Sequence, residues 1–141
     1  MSKIHLVVLG APKAQERHRS FKRGNFTGTY DPSKGVKETL ATIVQDQAPK
    51  EPLTGAISLD VTFYMHRPKS HYGSGKNALK LKENAPEWHT SKPDVDNLEK
   101  LVQDSLNGIF WKDDSQITFL VCRKIYSEKP RTEIFISDEL L

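Results

Sequence analysis

A chain of 141 residues, 36% hydrophobic and 28% charged, has the size of one domain with one modest core. No apolar run approaches the roughly 18 residues needed to span a bilayer, and the opening MSKIHLVVLG lacks a signal-peptide core and cleavage site, so a cytoplasmic protein without membrane contact is expected. The lone Cys122, within the apolar stretch FLVC, excludes an intrachain disulfide and a multi-cysteine zinc site and is expected to be a buried thiol.

In chain order, Ile4–Leu9 is β-branched and apolar enough for an opening strand. Gly10–Tyr30, rich in Gly, Pro, Asn and charge, reads as a loop. Charge gathers here: Gly10–Lys37 holds seven basic residues against Glu16 and Asp31, a local net of +5 in a chain whose total is +3. Such a cluster suits a solvated loop or a surface that neutralises phosphates. Val36, Leu40, Ile43 and Val44 predict one apolar helix face over Ser33–Ala48, capped by Asp31 or Ser33 and stopped by Pro49. Thr54–His66 alternates, with Ile57, Leu59, Val61 and Phe63 pointing one way, as in a half-buried strand.

Arg67–Ser91 has no clean period and carries Lys69, Lys76, Lys80 and Lys82, and a mobile basic loop is expected at about 67–91. Its histidines, His71 and His89, and the neighbouring His66 read as solvent-exposed or DNA-contacting rather than as metal ligands. Leu98, Leu101, Val102 and Leu106 predict a second amphipathic helix over Asp94–Asn107, stopped at Gly108. Gln116–Tyr126 and Thr132–Ile136 read as strands separated by the turn material SEKP. The order β-α-β-loop-α-β-β points to an α/β (α+β-like) fold, a small mixed β-sheet with two packed helices, in a single domain over 1–141.

The chemistry-bearing stretch is Lys92–Ile117, KPDVDNLEKLVQDSLNGIFWKDDSQI, with Asp94 and Asp96 at the start of the second helix and Asp113 and Asp114 beyond its end. Two mid-helix residues at i and i+2 stand about 200° apart. Asp94 follows Pro93 at the cap, outside regular helical dihedrals, so its carboxylate is free to converge with that of Asp96. Each acid also has a plainer reading: Asp94 as an N-cap, Asp113 and Asp114 as polar turn residues, and Lys100 as the i,i+4 partner of Asp96, worth about 0.2–0.5 kcal/mol. Acids at both ends of one helix, beside basic loops, also suit Mg²⁺, which binds through a few carboxylates plus substrate phosphate.

KPDVDNLEKLVQDSLNG followed by WKDDSQI resembles the signature of the RusA family of Holliday-junction resolvases. The pattern is an Asp-x-Asp-Asn start, a lysine four residues after the second Asp, and a Trp-x-Asp-Asp turn. It falls on Asp94, Asp96, Asn97, Lys100, Trp111, Asp113 and Asp114. The resemblance implies an endodeoxyribonuclease that resolves four-way-junction DNA by paired cuts as a homodimer, in recombination and repair, encoded by bacteria, phage or prophage. It implies Mg²⁺, or Mn²⁺ in its place, held by Asp94, Asp96 and Asp114, with Lys100 as the essential basic residue. Asp113 either assists or shapes the turn. The basic residues Arg17, Arg19, Lys22, Arg23, Lys69, Lys76, Lys80 and Lys82 are then expected on the DNA backbone. Two other classes share single features. A non-catalytic DNA-binding protein would use the same basic loops. A nucleotide-sugar transferase would use Asp-x-Asp for its metal, but 141 residues leave no second substrate domain.

Overall fold

The computed structural model describes residues 2–139. Its strands are β1 (Lys3–Leu9), β2 (Arg19–Arg23), β3 (Phe26–Tyr30), β4 (Ile57–His66), β5 (Ile117–Ser127) and β6 (Arg131–Ser137), and its helices α1 (Lys34–Val44) and α2 (Val95–Leu106). The expected mixed sheet with two helices is present. Four strands lie in the order β1-β6-β4-β5, and β2 and β3 form a separate two-stranded sheet.

β4 is one of the sheet's two inner strands, and its alternation buries one face. Ile57, Leu59, Val61, Phe63 and Met65 are all buried on the side that faces the helices. It pairs antiparallel with β6 and parallel with β5. A parallel neighbour requires a long crossover, and the segment from Arg67 through α2 supplies it. β5 and β6 follow one another closely in sequence but are not sheet neighbours; β4 lies between them. The helices close the core with Leu40 and Val44 from α1 and Leu98, Leu101, Val102 and Leu106 from α2. Val36 and Ile43, expected on the apolar face of the first helix, are 37% and 50% exposed. They line a groove of about 610 Å³ with Leu9, Pro12 and Leu101, because only the Leu40–Val44 side of this short helix reaches the core.

The stretch read as a loop over Gly10–Tyr30 contains the β2–β3 hairpin. Its ten strand residues are exposed apart from half-buried Gly28, so there is no buried face and no apolar alternation to betray a strand. Gly24, at φ 57°, opens its two-residue turn. Opposite Phe21, Gly28 has no room for a side chain: a Cβ there would lie 2.6 Å from the Phe21 ring. Phe21 in turn packs at ring distances of 6.1 and 6.4 Å from Phe26 and Tyr30.

The segment after β4 is built rather than featureless. It holds short 3₁₀ turns at Lys69–His71 and Gly75–Asn77 and a Tyr72–Leu81 bridge. His71 and His89, expected to be solvent-exposed or to contact DNA, are half-buried and pack on the Tyr126 ring at 4.6 and 4.9 Å. The Arg67 guanidinium donates to the Pro86 carbonyl at 2.7 Å and lies 5.4 Å from the same ring.

Candidate active site

The acidic helix end is set by backbone as much as by side chains. Asp94 is the N-cap residue of α2 in position (φ −70°, ψ 146°), yet its side chain makes no capping hydrogen bond. Its carboxylate is therefore exposed and uncommitted. Asp96, in the first turn, accepts the Asn97 backbone N–H on Oδ1 at 3.0 Å and benefits from the positive end of the helix dipole. Lys100 is exposed one turn further on; among the described residues it forms no ion pair with Asp96. Leu98, Leu101 and Val102 fix the opposite side of the helix in the core, so Asp96 and Lys100 are held outward.

At the other end, Gly108 at φ 81° terminates the helix, and its N–H donates to the Trp111 carbonyl at 2.8 Å. Phe110 and Trp111 are fully buried and anchor the turn. The Trp111 indole Nε1–H donates to Asp114 Oδ1 at 2.8 Å, which aims that carboxylate and leaves Oδ2 free. Asp113 shapes the turn: its Oδ2 accepts the Ser115 N–H at 3.0 Å, while Gln116 Oε1 accepts the Asp113 N–H at 2.8 Å. Those Ser115 bonds hold the Asp113 carboxyl below the usual aspartate range.

Glu99, which the motif does not single out, lies between the two ends. It stands one turn from Asp96, and its Oε1 is buried without a hydrogen-bond partner. Burial pushes its carboxyl above the usual range, and the charges of Asp114, Asp104 and Asp96 add to the effect. Burial likewise raises Asp114, against the Trp111 hydrogen bond, with Asp104 and Asp113 adding repulsion. The neighbouring Cys122 is half-buried, and its thiol is pushed up to about 12 by burial, then by Glu99 and Asp60.

The acids thus form a strip in which Glu99 feels both Asp96 and Asp114. Among the described residues no three acidic or imidazole side chains are grouped tightly enough to share one ion. Even so, Asp94, Asp96 and Asp114 fit a divalent cation in kind: all offer carboxylate oxygens, Asp94 makes no capping bond, Asp114 keeps one oxygen free, and the partnerless Glu99 Oε1 lies on the same strip.

The eight basic residues expected to contact DNA are all exposed. Arg19, Lys22 and Arg23 lie on the hairpin strand β2, with the Arg23 guanidinium 5.9 Å from the Phe21 ring. Arg19 is also 3.5 Å from Glu16. Lys69 and Lys76 occupy the two 3₁₀ turns, and Lys80 and Lys82 flank the bridging Leu81. Among the described residues no helix is long and apolar enough to cross a membrane.

Comparison with known proteins is consistent along the chain. A family described as "RusA: Endodeoxyribonuclease RusA" matches residues 10–137. YqaN of Bacillus subtilis (strain 168) is 39% identical over 98% of both chains. The crossover junction endodeoxyribonuclease rusA of Lactococcus phage r1t is 44% identical over 58% of this chain and 54% of its own length.

Proposed function

Because the chain belongs to the RusA endodeoxyribonuclease family, we propose that it resolves four-way DNA junctions by metal-dependent phosphodiester hydrolysis in recombination and repair, working as a homodimer. The observation that carries this reading is the uncommitted acidic helix end. Asp94 occupies the best-known position for a capping aspartate and does not cap, so its plainer structural role does not account for it. Asp94, Asp96 and Asp114 would hold Mg²⁺, or Mn²⁺ in its place. Such an ion supplies activation of a water and neutralisation of charge developing on the phosphate.

The residues of the chain do the rest. Trp111 fixes Asp114 through Oδ1, keeping Oδ2 for the site. Lys100, exposed on the same helix and free of Asp96, would meet the phosphate oxygens as their charge grows. Glu99 sets a further carboxyl between the two ends of the strip, its proton affinity raised by burial and by the neighbouring acids. The hairpin and the Lys69–Lys82 segment carry basic residues for the DNA backbone, which position the duplex arms without reading sequence. The direct test is incubation with a synthetic four-way junction, a flap and a linear duplex, each with Mg²⁺ and each with a chelator. Paired cuts in the junction that require the metal are expected. Tight junction binding without any cleavage would leave a DNA-binding protein of the same fold.

A further inference from the structure

We propose that Lys124 is a positioning residue of the acidic site. Its ammonium, clamped by two main-chain carbonyls, fixes the approach to α2 so that Asp94 and Asp96 stand ready for a divalent cation. The proposal rests on reading Asp94 and Asp96 as metal-binding.

Lys124 sits on β5 opposite Phe63 of β4, on the face that carries the helices. Its Nζ donates to the Ser91 carbonyl at 2.8 Å and to the Pro93 carbonyl at 2.7 Å. These are short, charge-assisted bonds, stronger than neutral ones. Pro93 immediately precedes Asp94, so the clamp acts on the peptide that leads into the acid. Around the same lysine the backbone is zipped to the incoming segment. The His89 N–H donates to the Lys124 carbonyl at 3.2 Å, and the Tyr126 N–H to the Glu87 carbonyl at 2.9 Å. From Glu87 to Pro93 the chain is thus tied to β5 first by backbone and then by one side chain.

Two features make this more than surface decoration. A cation just before a helix N-terminus opposes the helix dipole, so a lysine there needs compensation. The Ser91 and Pro93 carbonyls supply it. Asp94, for its part, has no capping bond of its own, so its placement depends on the backbone that delivers it. Burial, and after it the Lys124 charge, lower the proton affinity of the adjoining His89.

The test compares Lys124→Met, Lys124→Arg and wild type in two measurements: Mn²⁺ titration calorimetry on metal-free protein without DNA, and junction affinity in chelator as a function of salt. Loss of an outer-shell partner of metal ligands commonly costs 10–100-fold in metal affinity or activity. Lys124→Met is expected to weaken Mn²⁺ by about that factor and to leave junction affinity and its salt slope unchanged. Lys124→Arg, which keeps two donors and the charge, is expected to recover most of the metal affinity. Unchanged Mn²⁺ affinity in Lys124→Met overturns the proposal. So does a loss confined to junction binding with a salt slope reduced by about 0.9, the signature of a phosphate contact. Thermal unfolding is followed alongside; if Lys124→Met does not fold, Lys124→Gln, which keeps a donor, is read by the same criteria. Asp94→Asn is titrated in parallel. If it retains wild-type Mn²⁺ affinity, the reading of the acidic site fails. If it loses the metal while Lys124→Met does not, only the role of Lys124 fails.

Discussion

Glu99 and Lys100 are adjacent on α2, and their expected behaviours differ in sign. The buried, crowded Glu99 carboxyl holds its proton more tightly in the fold than in the unfolded chain. Its contribution to stability is therefore full below the ordinary glutamate range and is lost as pH rises through the raised value. Glu99→Gln is expected to unfold at a higher temperature than wild type at neutral pH without metal. The gap closes on acidification, and Mg²⁺ narrows it by relieving wild type. Superimposable pH–stability curves for the two proteins would show that Glu99 carries no uncompensated charge. Lys100 has no ion pair with Asp96 to lose, so Lys100→Ala is expected to change stability little. If it stabilises charge on the phosphate, its removal lowers the cleavage rate by about 10²–10³. Full single-turnover activity in Lys100→Ala returns the residue to an ordinary exposed helix lysine.

The elements were legible where burial gave them a period. α2 follows from Leu98, Leu101, Val102 and Leu106, and β4 from its alternation, because each buries one face. The β2–β3 hairpin buries none, so only its Gly24–Asn25 turn marked it. Within the candidate site, the proposed aspartates stand out in the sequence because their motif is local. Asp113 stays between two roles in the sequence, because its turn bonds to Ser115 and Gln116 depend on a backbone geometry the motif does not display. Glu99 was hidden among the helix's outward charges, and its meaning comes from Asp114, fifteen positions on. Lys124 was hidden because its partners lie 33 and 31 residues away in sequence. The exposed hairpin has its own consequence. A two-stranded ribbon is marginal by itself in water, and this one presents Arg19, Lys22, Arg23 and three packed aromatic rings. Changing those three basic residues to Gln is expected to weaken junction and duplex binding alike, and to flatten the salt dependence by about 0.9 for each phosphate no longer neutralised. An unchanged slope would place the hairpin away from DNA.

At the scale of the whole molecule, the described residues of one chain offer one acidic strip, whereas resolving a four-way junction needs cuts in two opposed strands. A two-fold dimer matches the near two-fold symmetry of that substrate and is the commonest closed assembly. Heterodimers of one wild-type and one Asp94→Asn chain are therefore expected to nick one strand and spare the other; heterodimers that make both cuts would show that one chain serves both strands. The central claim, that the carboxylates at the two ends of α2 perform DNA cleavage, is tested most directly on a single synthetic four-way junction with Mg²⁺. Cleavage and binding are measured side by side for wild type, Asp94→Asn, Asp96→Asn and Asp114→Asn. The expected result is loss of cleavage in all three variants with junction affinity equal to or tighter than wild type, since each removes a negative charge near phosphates. Any of the three cutting at near the wild-type rate would contradict it.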